Sequence, residues 1–225
     1  MDKILSHYQA LEYTESVLSS LPGKFILGGH SKGGHLAFYT ALNMKPELCD
    51  RLLYAISYDG PGFPYGIERF INYHVVKKKL RKYVTHRDMV GAIYHDIPNP
   101  VIVYSPGILL GGHDPFAWKV DNNTGKFITR KKVIKRATNF TDALNMWLDE
   151  LSHEDKVLGC GAIFAITGKA RNIYDLLKYF GTNLVMFNSV IKKYAKKDQE
   201  RLRELIQLFF KCLKITKKNP QSKDI

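Results

Sequence analysis

The sequence predicts an α/β protein, and three observations carry that expectation. Short apolar runs at Phe25–Leu27, Leu52–Tyr58 and Val101–Tyr104 alternate with segments of helical periodicity, the pattern of a parallel sheet flanked by helices. The first run passes through Gly29-His30-Ser31-Lys32-Gly33 directly into a helical pattern. Beyond Asn139 the strand signals cease and helical segments follow one another.

Taken in order, Leu5–Leu21 has apolar residues at helical spacing and stops at Pro22-Gly23, so a helix feeds the first strand. Phe25, Ile26 and Leu27 read as a buried strand, and Leu36, Ala37, Tyr39, Thr40 and Leu42 as a packed helix that Pro46 ends. Leu52–Tyr58 is the second strand, closed by the turn signal Asp59-Gly60-Pro61-Gly62. A helix over Gly66–Lys79, a short strand over Lys82–His86 and a buried strand over Val101–Tyr104 come next. Ala117–Val120 and Lys126–Val133 flank Asn122-Asn123-Thr124-Gly125, which suggests a hairpin. The remaining segments, Thr141–Leu151, Val157–Ile166, Ile173–Phe180 and Asn183 to about Ile215, read as helices, and the tail after them is polar. The organisation expected is a core over residues 1–138 with a helical region over 139–225 packed on the same domain.

The Gly29–Gly33 motif carries the chemistry. A strand that turns sharply into a helix strains the backbone at the turn and crowds its neighbours, so small residues are needed two positions before and two after the serine. Gly29 and Gly33 meet that need. The turn lifts the hydroxyl of Ser31 above the sheet, and the N–H of the next residue, Lys32, becomes one donor for a developing oxyanion. By chance alone a G-x-S-x-G pattern arises about three times per ten thousand positions. The strand before it and the helix after it are what make the motif informative. A phosphate-cradling loop is the weaker alternative, because the full G-x-x-x-x-G-K-[ST] pattern is absent.

A serine hydroxyl is a poor nucleophile at neutral pH and needs a histidine base oriented by a carboxylate, in the chain order Ser, Asp or Glu, His. Of eight histidines, His113 in Gly111-Gly112-His113-Asp114-Pro115-Phe116 follows the Val101–Tyr104 strand in a glycine-flanked loop, and it is preferred over His86, His95 and His153. For the carboxylate, Asp88 follows the Lys82–His86 strand and precedes His113, as the order requires. Asp59 is its rival, with a competing role as a turn residue that caps its own backbone. Asp114 adjoins the histidine in sequence, and adjacent residues rarely orient each other.

Composition bounds the rest. The 225 residues, 45% hydrophobic, suffice for one sizeable core and a small appendage. Cys49, Cys160 and Cys212 are odd in number and far apart, with no C-x-x-C pair, which predicts reduced thiols in a cytoplasmic setting and gives no sign of a metal or other cofactor. The N-terminus lacks the apolar region of a secretory signal, and no run approaches the roughly 18 to 20 apolar residues of a membrane span. A net charge of +13 permits contact with anionic membrane or nucleic acid. Its clusters, Lys77–Lys82, Lys131–Arg136 and Lys192–Arg203, are read first as solvated surface, next as peripheral contact with anionic lipid, and last as nucleic-acid binding, for which no motif is present.

The blocks GGHSKGGHLA, SYDGPGF and GGHDPFAWKV resemble the Mbeg-like bacterial family, whose core is of the α/β-hydrolase type, and their order is similar to that of the class 3 lipases. The resemblance covers about residues 10–120. It implies Ser31 as nucleophile, Asp88 as acid and His113 as base. The expected function is therefore that of a serine hydrolase acting on an ester, thioester or lipid acyl bond. The alternative is a catalytically weak protein of the same fold that serves as a binding or membrane-associated scaffold. Because Ser31 lies only thirty residues after Met1, the expectation is a reduced form or fragment without the strands and second oxyanion donor that normally precede the motif. Such a sheet has an open edge, which favours self-association. Neither the substrate nor the oligomeric state is encoded in any pattern of this kind.

Overall fold

In a computed structural model, residues 4–87, 89–94, 97–107, 109–167 and 190–218 are described. Helix α1 (Leu5–Ser20) leads into β1 (Phe25–His30), α2 (Lys32–Asn43), α3 (Pro46–Arg51), β2 (Leu52–Tyr58), the single-turn α4 (Tyr73–Val76), β3 (Leu80–Thr85) and β4 (Val101–Val103). Among the described residues, α5 (Lys135–Glu150), α6 (His153–Thr167) and α7 (Lys196–Lys218) follow. The strands form one four-stranded parallel sheet in the order β1-β2-β3-β4. A parallel sheet with helical crossovers is the α/β class that the alternation of runs predicts. All four strands therefore end on the same edge, and the loops leaving that edge meet there.

Punctuation in the sequence explains the boundaries. α1 stops before Pro22-Gly23, where Gly23 takes φ +95°, a left-handed conformation open to glycine. Lys45 is extended because it precedes a proline, and Pro46 then opens α3 at a position whose missing N–H costs nothing. Along α2, residues 37–42 are all buried, since the helix lies between the sheet and α1. Phe38, Ala41 and Leu42 of α2 pack with Leu52 and Ala55 of β2, Leu80 of β3 and Val76 of α4 in the main core. Truncating one such fully buried leucine or phenylalanine to alanine typically costs about 2 to 5 kcal/mol.

The opposite face of the sheet is aromatic at the strand ends. Tyr58 and Tyr83 are register partners whose rings lie 5.2 Å apart, and Trp118 and Phe127 pack on them at 5.6–6.4 Å. Phe127 comes from the expected hairpin, closed by the Val120–Phe127 bridge and by the Asp121 N–H to Lys126 C=O bond at 2.8 Å. Its returning arm continues the sheet antiparallel beyond β4 through Tyr104 N–H to Ile128 C=O at 2.7 Å and Arg130 N–H to Ile102 C=O at 2.8 Å.

Several elements differ from the sequence expectation. β1 is not a buried strand: Ile26 is 54% exposed, and so is 42% of its register partner Tyr54. Phe25 and Leu27, on the other face, do reach the core. Gly66–Lys79 is not a continuous helix, because Gly66 is left-handed at φ +74° and Asn72 ties the chain to the end of α2 by donating its side-chain N–H to Met44 C=O at 2.6 Å. Only Tyr73–Val76 and the following turn Lys77–Lys79 are helical. α5 starts at Lys135, six residues before the expected Thr141, so the expected boundary at 138/139 falls inside it. The long helix expected from Asn183 is interrupted, with Lys192–Ala195 non-helical before α7. That turn lets Ile191 and Leu202 bury against Ala162 in a second small core. The Ile173–Phe180 helix lies outside the described residues.

α5 and α7 run antiparallel, joined at one end by Trp147 Nε1–H to Leu205 C=O at 2.7 Å and at the other by Thr216 O–H to Asn139 C=O at 3.0 Å. Between α6 and α7, Arg201 donates two hydrogen bonds of 2.8 Å to the Asp155 carboxylate and holds that carboxyl down at about 2.

A buried histidine pair fastens α1 to α2. Ile4 N–H donates to His7 Nδ1 at 3.3 Å, so the His7 proton sits on Nε2, which meets His35 Nε2 at 2.8 Å. The remaining ring proton of His35 is then on Nδ1, which donates to Pro61 C=O at 3.0 Å. This chain of bonds requires both rings to be neutral. Burial, reinforced by the neighbouring His35, pulls the His7 pKa from 6.5 down to about 4. The unfolded chain therefore binds the proton first as pH falls, so the folded state loses stability between about pH 6.5 and 4. Urea unfolding should show a loss of roughly 3 kcal/mol across that window attributable to His7. The His7→Gln variant should show a shallower dependence, and an unchanged slope would assign the effect to other groups.

Candidate active site

Ser31 connects β1 to α2, and its backbone, at φ +56° and ψ −125°, lies where a residue with a Cβ is strained. Its N–H donates to Tyr58 C=O at 2.9 Å, and its own carbonyl accepts from His35 N–H at 3.2 Å, so both sides of the turn are tied to regular structure. The glycines around it differ in what they do. A Cβ on Gly29 would lie 2.3–2.8 Å from the backbone of Gly33, so the turn can close only with glycine there. A Cβ on Gly33 meets nothing within 4 Å, whereas one on Gly34 would lie 2.6 Å from Ser57 Oγ and 2.8 Å from Gly29 C=O. The second crowded position is thus Gly34, not Gly33. The reason is that residue 34 is the one whose side of α2 rests on β2.

Lys32 opens α2. Its N–H is therefore among those that a helix leaves without an intrahelical acceptor, at the positive end of the helix dipole.

His113 lies in the loop after β4, between the turns Leu109–Gly112 and Pro115–Ala117. Its loop is held by Trp118 Nε1–H to Gly112 C=O at 3.0 Å. The His113 ring meets Asp59 through Nδ1 and Oδ2 at 2.7 Å, with the Asp59 side chain fully buried and that of His113 14% exposed. A carboxylate on Nδ1 puts the ring proton there and the lone pair on Nε2. Asp59 reaches this point because it is the first residue after β2, whose last residue Tyr58 is the register partner of His30. Its N–H is fixed by Tyr83 C=O at 2.7 Å, and its φ of +53° belongs to the left-handed region that aspartate tolerates.

Among the described residues, the carboxylate that meets the His113 ring is that of Asp59. Asp88, the carboxylate preferred from the chain order, lies outside the described residues, as does His95. His86 is buried against Tyr104 and accepts from Ser105 N–H at 3.4 Å through Nδ1. His153 opens α6, and Asp114 caps its own turn by accepting from Phe116 N–H at 3.0 Å.

One residue of the site carries no signal in the sequence. His30, inside the motif, donates from Nε2 to the His113 carbonyl at 2.7 Å, and the two rings lie 4.4 Å apart. Burial lowers the His30 pKa, and the bond to the His113 carbonyl opposes that shift in part. Only the position of β1 beside the His113 loop shows this contact.

Among the described residues no group of histidine, cysteine and carboxylate side chains could hold a metal ion, and no helix is long and apolar enough to cross a membrane. Cys49 and Cys212 are free and buried.

The glycine geometry gives a sharp contrast. Gly34→Ala should overpack the α2/β2 contact and cost about 1 to 3 kcal/mol, a fall of several degrees in Tm. Gly33→Ala, one residue away, should leave Tm unchanged or raise it slightly, because alanine is the better helix former. Thermal unfolding of the two variants followed by circular dichroism separates the cases, and equal losses would refute the assignment.

No curated protein and no solved structure matches the chain. A family model does, over residues 1–165, a span that contains the sheet, the Ser31 turn, Asp59 and His113. The chain belongs to the Mbeg1-like family.

Proposed function

We propose that this protein is a serine hydrolase with an α/β-hydrolase-type core, acting on an ester, thioester or lipid acyl bond. The observation that carries the reading is the 2.7 Å contact between Asp59 and His113 at the sheet edge where the strained Ser31 turn emerges. A carboxylate on Nδ1 of a histidine, at the sheet edge from which a serine emerges on a strand-to-helix turn, supports acyl transfer by serine.

In this mechanism Ser31 attacks the acyl carbonyl while His113 Nε2 takes its proton, and Asp59 stabilises the imidazolium that results. The oxyanion accepts from the Lys32 N–H at the start of α2, where the helix dipole also favours negative charge. His113 then returns its proton to the leaving group, and water repeats the sequence to release the acid. His30 keeps the His113 backbone in place through its bond to the carbonyl. The order Ser31, Asp59, His113 satisfies the chain order of such folds, as the order with Asp88 also does. Buried free thiols fit a reducing, cytoplasmic setting.

Labelling with a fluorophosphonate probe tests the reading. The wild-type chain should label, and Ser31→Ala should not. Asp59→Asn should slow labelling and p-nitrophenyl ester turnover by about a thousandfold or more, because the histidine would adopt the wrong tautomer, whereas Asp88→Asn should stay near wild type. Equal labelling of Ser31→Ala would overturn the nucleophile. A large loss with Asp88→Asn and none with Asp59→Asn would move the acid.

A further inference from the structure

We propose that the paired ends of α5 and α7 form a docking surface for an anionic lipid bilayer. Residues 126–141 hold six Lys or Arg and residues 205–218 hold four, and neither stretch contains an Asp or Glu. In sequence these are separate basic runs. The fold joins them, because α5 and α7 are antiparallel and Thr216 bonds to Asn139 C=O at 3.0 Å, bringing the start of one helix to the end of the other.

Between them lies a cavity of about 420 Å³ lined by the cations Lys135, Arg136 and Lys217, by Asn139, and by the apolar Phe140 and Leu213. On α7, Phe210, Leu213, Lys214 and Lys217 follow the i, i+3, i+4, i+7 spacing of a single stripe. Phe210 is 54% exposed, and Ile134, just ahead of α5, is 40% exposed. Cations around an apolar hollow, with large apolar side chains left in water beside them, match the chemistry of a lipid surface. Phosphate headgroups meet the cations while glycerol and acyl carbons cover the hydrocarbon. A nucleic acid would use the same cations, but it gains its remaining affinity by stacking bases on a series of exposed aromatic rings. Here the apolar part of the lining is one leucine and one half-buried phenylalanine.

The surface also lies on the functional edge of the sheet. Ile134 N–H donates to His86 C=O at 2.7 Å, and His86 directly follows β3 at the end of the strand. The strands are parallel, so this is the edge from which Ser31 and Asp59 emerge. Docking there would bring the edge that carries Ser31 toward the bilayer. That consequence for substrate rests on the hydrolase reading; the binding itself does not.

The experiment uses the full chain carrying Ser31→Ala, so that turnover plays no part. Vesicles of phosphatidylcholine alone and of phosphatidylcholine with phosphatidylserine are sedimented with it. Binding should require phosphatidylserine and weaken with added salt. Lys135→Glu with Lys217→Glu should weaken it by at least about tenfold. Lys77→Glu with Lys78→Glu, which changes the net charge equally, should leave it near the parent value, and circular dichroism confirms that each variant is folded. Equal losses in the two variants would attribute binding to overall charge and overturn the proposal. So would equal binding to neutral vesicles, no binding to either, or preferential capture of a single-stranded oligonucleotide by the same cations.

Discussion

The rest of the site depends on the contact between α2 and the first two strands. Ser31 is held at an unfavourable backbone angle, and such strain persists only when the surroundings over-determine it. Here they do so sterically. Gly29 lies against the backbone of Gly33, Gly34 against Ser57 of β2, and the Ser31 N–H is bound by the last residue of β2. The helix can sit that low on the sheet only because glycine occupies both close-approach positions, and its apolar residues from Ala37 to Leu42 then reach the core.

Parallel topology turns that local contact into a cluster. Four strands that end on one edge deliver Ser31 from β1, Asp59 from the turn after β2 and His113 from the loop after β4. Two hydrogen bonds then connect the pieces, Asp59 to the His113 ring and His30 to the His113 backbone. The buried His7–His35–Pro61 chain fastens the next layer, linking α1 and α2 to the loop that follows Asp59. Buried histidines therefore recur as structural bonds around the site, in His7 and in His30, whose pKa values are both lowered by burial.

The C-terminal helices follow different rules. α5 and α7 are held by aromatic packing, with Phe209 against Phe140 and Trp147, and by side chains that bond to backbone carbonyls. They leave a strongly basic end around an apolar hollow. Charge density of that kind is invisible in a residue count, because it depends on two distant segments meeting.

The sequence by itself determined the α/β class, the extent of β2 and of α1, the strand-to-helix turn at Ser31, and the hairpin around Asn122–Gly125. Each rests on local physics: apolar periodicity, a proline or glycine at a boundary, or the crowding of a tight turn. It also determined that His113 stands in a loop after the last strand. Only the tertiary structure decided that Asp59 meets the His113 ring, because no local pattern tells which turn aspartate the strand register puts beside a histidine. The same holds for His30, whose role is a bond across 83 residues, and for Gly34, whose need for a missing Cβ comes from Ser57 of another strand. The exposure of Ile26, the broken Gly66–Lys79 segment and the interruption before α7 were likewise set by what packs where, a property of pairs of distant elements that no local pattern contains.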